Sequence, residues 1–179
     1  RQIPRLPALL IMRLHKGDML AGYQVESMLG EGAMGTVYRA RAQDGRAVAL
    51  KLVGPECSRE RFQTEAETLY QLRCPGIPRI FDFAMEPIAY LAEEIMEGPS
   101  LEERLEQGPL SVSEVLTIAD GLLTVLQVIH EHGIVHRDLS PSNILIQGSQ
   151  VCIIDFGLVR VLNSDVHPTL TGEILGTPH

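Results

Sequence analysis

Asp138, Asn143 and Asp155 carry the oxygen atoms whose types and spacing best suit phosphate chemistry in this chain. They sit in two short strings, His136-Arg137-Asp138-Leu139-Ser140-Pro141-Ser142-Asn143 and Asp155-Phe156-Gly157. Mg²⁺ is a hard cation that prefers oxygen ligands. One aspartate as proton acceptor, with an asparagine and a second aspartate as metal ligands, would suit a site that positions and neutralises a transferring phosphoryl group.

The upstream half adds cation and backbone. Gly30-Glu31-Gly32-Ala33-Met34-Gly35-Thr36-Val37 is a glycine-rich string between two strand-like runs, 23–29 and 36–42. Glycine lacks Cβ, so such a loop lets backbone approach phosphate oxygens closely. Asp44-Gly45 signals a hairpin turn, and 46–53 reads as the next strand. That strand carries Val48-Ala49-Leu50-Lys51. A lysine alone at a strand end is usually a solvated side chain. Here it stands between a glycine loop and an acidic helix predicted over 59–72, whose Phe62, Ala66, Leu69 and Leu72 recur near helical spacing. Glu60, Glu65 and Glu67 are the acidic candidates to pair with Lys51. Glu65 is chosen: it lies near the middle of the helix, beside the apolar stripe. Glu60 sits in the first turn, where the helix dipole explains it, and Glu67 reads as solvated.

With four motifs in order, the chain resembles a eukaryotic-like (Hanks-type) bacterial serine/threonine protein kinase, from about Tyr23 onward. A glycine loop between strands is the arrangement of that family, whereas a dinucleotide-binding loop opens into a helix. The roles that follow are the family's established template, carried over residue by residue. The resemblance implies ATP and Mg²⁺ as cofactors and protein Ser/Thr hydroxyls as substrates. It implies Asp138 as the base, Lys51 held by Glu65 on the α- and β-phosphates, and Asn143 and Asp155 on the metal. Gly30, Gly32 and Gly35 would cover the phosphates, and Val37 and Ala49 would meet the adenine from above. Leu145 would close the pocket below, and backbone groups of Glu94 and Met96 would meet the adenine edge. His136 is expected to hold the loop rather than act as a base. Arg137 suggests control by a phosphorylated segment, with Thr169 or Thr171 as the phosphosite.

These groups need two lobes to bring them together. The expected class is α+β, a bilobal kinase-like fold. Its first lobe is a five-stranded antiparallel sheet with one main helix, and its second is helical and incomplete at the C-terminus. Residues 1–22 are read as an extension, 23–93 as the first lobe, 94–98 as the hinge and 99–179 as part of the second lobe. Strands are expected over 79–85 and 88–92, with a turn at Pro75-Gly76-Ile77-Pro78. A short helix over 100–106 follows. Ser111-Val112-Ser113-Glu114 is a capping box opening a long helix. Val115, Leu116, Ala119, Leu122, Leu123, Leu126 and Ile129 give that helix a broad apolar stripe with a core role, and Gly133 stops it. Two short strands around Gly148 come last.

Two residues depart from the family. Glu93 falls where an apolar residue usually backs the nucleotide pocket. A buried, unpaired carboxylate is costly, so a cationic partner, a register shift or a solvent-reaching side chain is required. The reading here favours one of the last two. Ser140 stands where a lysine usually stabilises the transferring phosphate, and loss of such a cation costs on the order of 10²-fold in rate.

Composition sets the outer limits. The 179 residues suit one domain, 45% of them hydrophobic, with formal net charge -8. The acidic balance without a basic run argues against nucleic-acid binding. Cys57, Cys74 and Cys152 form no metal-spaced pair, which fits a reducing compartment. No run of about 20 apolar residues marks a membrane segment, so a cytoplasmic location is expected. Arg1 is no initiator residue and Met12 is a candidate beginning. The family's helices beyond residue 179 are missing, so a fragment is expected, inactive or poorly soluble alone, or prone to self-association. Two rival readings remain. One is a pseudokinase or nucleotide-binding scaffold, favoured by Ser140 and Glu93. The other is a small-molecule phosphotransferase, disfavoured by His136-Arg137-Asp138 and Asp155-Phe156-Gly157.

Overall fold

The computed structural model describes residues 13–32, 35–54, 59–136 and 139–155, with the side chains of 59–61 and 65 outside that description. The chain forms β1 (Met19–Leu20), β2 (Tyr23–Gly32), β3 (Gly35–Arg41), β4 (Ala47–Val53), α1 (Arg59–Gln71), β5 (Ile80–Ala84) and β6 (Tyr90–Glu93). These strands make one antiparallel sheet in the order β1-β2-β3-β4-β6-β5. The central strand β4 is an almost continuous buried run, as expected for a strand covered on both faces. The Asp44-Gly45 turn forms as predicted: the Asp44 side chain accepts from the Arg46 amide at 2.9 Å, and Gly45 has φ 86°.

The sheet has six strands, not five. Two residues of β1 pair with β2, Met19 opposite Gln24 and Leu20 opposite Tyr23. Such a short element carries no periodicity to read. Part of the segment before Tyr23 packs on this sheet. Leu14 and Leu20 are buried with Tyr23, Val25, Tyr38, Leu50 and Tyr90 on one face of the sheet, and the Leu14 amide donates to the Tyr38 hydroxyl at 3.0 Å.

Helix α1 packs on the opposite face. Its predicted stripe, Phe62, Ala66, Leu69 and Leu72, is buried with Ile77, Ile80 and Leu91. The same core takes in Val125, Ile129 and Ile153 from the second lobe. The lobes are therefore joined by one apolar cluster, reinforced by the Ile153 amide donating to the Gly76 carbonyl at 2.8 Å.

The second lobe opens with α2 (Leu101–Glu106) and α3 (Val112–Glu131). Both begin with capping boxes, Ser100 with Glu103 and Ser111 with Glu114. Each serine accepts from the third amide of its helix while the glutamate returns to the serine amide. Gly133, with φ 72°, follows the end of α3. A short 3₁₀ turn, Pro141–Asn143, leads into the hairpin β7 (Ile144–Gln147) and β8 (Gln150–Ile153). The expected core role of the α3 stripe is met only on one side. Val125 and Ile129 are buried, whereas Val115, Leu116 and Leu123 are exposed. By length and composition α3 could cross a membrane, but its Val125 and Ile129 lie in the core shared by the lobes.

Candidate functional site

The β-ladder puts the predicted pocket residues on one face. Val37 lies opposite Lys51, Lys51 opposite Leu91 and Ala49 opposite Glu93. Residues directly across a ladder project to the same side, and alternate residues of a strand do likewise. Val37, Ala49, Lys51 and Glu93 thus share the side of the sheet that faces α1 and the second lobe. The opposite face carries Val48, Leu50, Leu52 and Ala92.

The glycine string is the tip of the β2–β3 hairpin, with Gly30 opposite Val37 and Gly32 opposite Gly35. Gly35 has φ 127°, and a Cβ there would collide with the Leu52 carbonyl oxygen. Only glycine keeps β3 this close to β4. Arg13 reaches this tip through an exposed ion pair with Glu31, Nη2 to Oε2 at 2.7 Å. No sequence signal announces that contact, because charge pairing across a loop has no periodicity.

The two lobes meet at Lys51. Its Nζ lies 2.6 Å from Asp155 Oδ1. The lysine side chain is 5% exposed and that of the aspartate 37%. A buried ammonium is costly unless a counter-charge accompanies it, and this carboxylate provides one from the far side of the crevice. Asp155 itself has φ 55°, a left-handed conformation that costs a non-glycine residue roughly 1–3 kcal/mol and persists only where the surroundings hold it.

Those surroundings come from the preceding loop. His136 is buried, and its Nε2 donates to the Ile154 carbonyl at 2.9 Å. The Ile154 amide donates to the Asn143 carbonyl at 2.9 Å, and the Asn143 amide donates to Ser140. His136 and Asn143 therefore brace the backbone immediately before Asp155. This matches the holding role expected of His136. Ser140 has no charge to offer, and its hydroxyl is 2.8 Å from that of Ser142.

Glu93 corrects one expectation. Glu93 pairs with Ala49, which turns its side chain to the crevice face, and the residue is half-buried rather than fully solvent-exposed. Burial pushes its pKa up to about 7, the Lys51 ammonium pulls it down, and Asp155 raises it further. Desolvation outweighs the attraction of the lysine.

Beyond Glu93 the chain leaves the sheet. The Glu94 amide donates to the Arg79 carbonyl at 2.8 Å, and the Glu94 side chain accepts from the Arg79 amide at 3.2 Å. Glu94 is exposed and Met96 half-buried. Gly98, φ 113°, passes so close to the Ile146 carbonyl that a Cβ would lie 2.5 Å from it. The Ile146 amide donates to Pro99, and Ser100 bridges to Leu145. Leu145 is thereby fixed beside Ser100, half-buried on β7.

The structure brings Val37, Ala49, Lys51 and Asp155 to one crevice, with Asn143 bonded to the residue before Asp155. Asp138, Arg137, Thr169 and Thr171 lie outside the described residues, as does the Glu65 side chain, so the Lys51–Glu65 pairing is not described. Glu65 itself falls within α1.

The chain is similar to known proteins. The protein kinase domain family matches residues 23–179. The chain is 39% identical to the DNA damage-responsive serine/threonine-protein kinase RqkA of Deinococcus radiodurans, over 93% of this chain and 27% of that protein. It is 33% identical to the serine/threonine-protein kinase PknJ of Mycobacterium tuberculosis, over 92% of this chain and 30% of that one. Among solved structures, the PknI kinase domain of Mycobacterium tuberculosis superposes with TM-score 0.73 at 31% identity, covering 83% of this chain and 64% of that chain. Rad53 1-466 in complex with AMP-PNP gives TM-score 0.68 at 32% identity, covering 76% and 38%. This chain spans less than a third of the length of those curated relatives. A match from β2 to the last residue, on a fold whose crevice joins a sheet lysine to a second-lobe aspartate, makes this chain a member of the protein kinase domain family, of the bacterial serine/threonine type.

Proposed function

We propose that the crevice binds ATP and that the protein transfers its γ-phosphoryl group to Ser or Thr hydroxyls of other proteins. The observation that carries this reading is the Lys51–Asp155 pair at 2.6 Å, which places a buried cation and a carboxylate from opposite lobes at one point. The likeness to a kinase solved with AMP-PNP supports a nucleotide as the occupant.

In this reading Lys51 binds the α- and β-phosphates, with Glu65 as its helix partner. Gly30, Gly32 and Gly35 cover the phosphates through backbone amides. Val37, Ala49 and Leu145 enclose the adenine, and Glu94 and Met96 meet its edge with backbone groups. Asp138 accepts the proton of the attacking hydroxyl. Asn143 and Asp155 offer hard oxygen donors that fit Mg²⁺, and the ion, when bound, supplies charge neutralisation on the phosphate oxygens. Lys51 keeps further N–H donors and Asp155 a second carboxylate oxygen beyond the bond they share, so the two could turn to phosphate and metal without parting. Thr169 or Thr171 is the regulatory phosphosite, tested by mass spectrometry after incubation with ATP. Activity with no phosphate on that segment would refute it.

The full-length protein is assayed with radiolabelled ATP and Mg²⁺ on a generic protein substrate, beside Asp138→Asn. Transfer by the unsubstituted protein and loss in the variant is the expected result. Binding of nucleotide without transfer would favour a scaffold, the reading that Ser140 supports. Equal signals from both proteins would eliminate the kinase assignment.

A further inference from the structure

We infer that Arg13 is a positioning residue for the glycine-rich hairpin: the segment before Tyr23 straps the outer face of the sheet and holds the hairpin tip through the Arg13–Glu31 ion pair. The inference rests on the reading of that hairpin as the cover of the ATP phosphates and adds two residues that reading does not use.

The strap is anchored along its length. Leu14 and Leu20 are buried with Tyr38, Leu50 and Tyr90. Between them the chain turns: the His15 amide donates to the Asp18 carboxylate at 2.8 Å, and the Asp18 amide to the His15 carbonyl at 3.0 Å. The turn is bonded to β2, with the Val25 amide donating to the Asp18 carbonyl at 2.9 Å and the Gly17 amide to the Val25 carbonyl at 2.8 Å. At its other end the Leu14 amide donates to the Tyr38 hydroxyl on β3. Arg13 is thus one residue from a fixed point, and its Nη2 meets Glu31 Oε2 at 2.7 Å.

The ladder explains why Glu31 is the residue it meets. Glu31 stands opposite Thr36, one pair from Gly32 opposite Gly35 at the hairpin tip. Val37 faces the crevice, so its neighbour Thr36 and the cross-strand partner Glu31 project to the other side. Tyr38 is buried on that side with Leu14. The strap therefore grips the tip from behind and leaves the crevice face of the glycines free for phosphate.

Two effects give the contact a sign. A tip already held needs less ordering when nucleotide binds. Glu31 also brings a negative charge beside the place a polyphosphate would occupy, and Arg13 neutralises it. Both favour binding. The side chains are 66% and 38% exposed, and exposed ion pairs contribute little each, so the expected effect is severalfold rather than orders of magnitude.

Calorimetry with a Mg²⁺-loaded non-hydrolysable ATP analogue tests this on the full-length protein. Arg13→Gln is expected to raise Kd about threefold, and Arg13→Lys to keep most of the affinity. In a Glu31→Gln background Arg13→Gln should change Kd little, because residues acting through one another are not additive. Arg13→Glu alone should weaken binding most, and Arg13→Glu combined with Glu31→Arg should restore it. Melting temperatures of all variants should match the unsubstituted protein, since both sites are exposed.

Unchanged or tighter binding by Arg13→Gln would overturn the inference. So would an equal loss in the Glu31→Gln background, which would mark direct attraction of phosphate by Arg13, or a reversed pair as weak as Arg13→Glu alone. In each of these cases binding by the unsubstituted protein leaves the ATP site standing. No binding by the unsubstituted protein would overturn both.

Discussion

The buried ammonium of Lys51 organises the crevice. Removing one partner of a buried ion pair costs up to about 3–5 kcal/mol, because the other charge is left unpaired. The Asp155 side chain is 37% exposed and can be hydrated, so Lys51→Met is expected to destabilise by less than that, while turnover falls about 10²-fold or more. Thermal melts and steady-state rates on the same samples check this, and a collapse of both would mean that Lys51 is structural. Ser140 offers the opposite experiment. Among the described residues its hydroxyl bonds within the loop, to Ser142, so Ser140→Lys adds the missing cation without breaking a described contact between lobes. A rise in kcat of about tenfold is expected from an added charge near the transferring group. An unchanged kcat would show that another cation already serves.

At the scale of elements, the long helix α3 depends on its first turn. Ser111 and Glu114 satisfy amides there, and Glu114 also accepts from Arg104 at 2.8 Å. Ser111→Ala should lower stability by about 1 kcal/mol, read from denaturant melts. The Glu114 pKa is held down at about 2, first by the Ser111 backbone amide and then by the Arg104 guanidinium. A carboxyl with a depressed folded value stabilises above its ordinary value and loses that contribution as pH falls through the folded one. The difference between the unsubstituted protein and Glu114→Gln is thus expected at neutral pH, shrinking from the ordinary 4.5 down to about 2. It should be modest and reduced by salt, since the pair is partly exposed. A difference that grows on acidification would contradict the capping geometry. Helix α1 depends instead on burial: Phe62 is fully buried between the lobes, and Phe62→Ala should cost about 3–5 kcal/mol.

At the scale of the molecule, an apolar cluster joins the lobes while, among the described residues, one face of α3 is exposed. Val112, Val115, Leu116 and Leu123 are 77%, 48%, 64% and 65% exposed. A contiguous apolar face of this kind is uncommon on a folded surface. Solved kinase domains are longer, this chain covering 64% of the PknI domain. The 179-residue chain is expected to bind a hydrophobic dye, and Leu116→Glu with Leu123→Glu to abolish most of that signal without lowering helix content. Retained dye fluorescence in the folded double variant would place the exposed surface elsewhere.

The sequence alone determined what depends on local order. Capping boxes at Ser100 and Ser111, the turn at Asp44-Gly45, the stripe of α1 and the strand carrying Lys51 are all short-range patterns, and each forms. The motif order named the family for the same reason, since chemistry at a phosphate needs particular residue types at fixed spacings. Tertiary structure decided what depends on distant partners. β1 exists because β2 pairs with it, and Leu14 is buried because Tyr38 lies across the sheet. Glu93 turned inward, against the sequence-based expectation, because its ladder register with Ala49 fixed the side on which it projects. Alternation names the face of a strand only once the neighbouring strand is known, and Lys51 meets Asp155 only when two lobes fold onto one core.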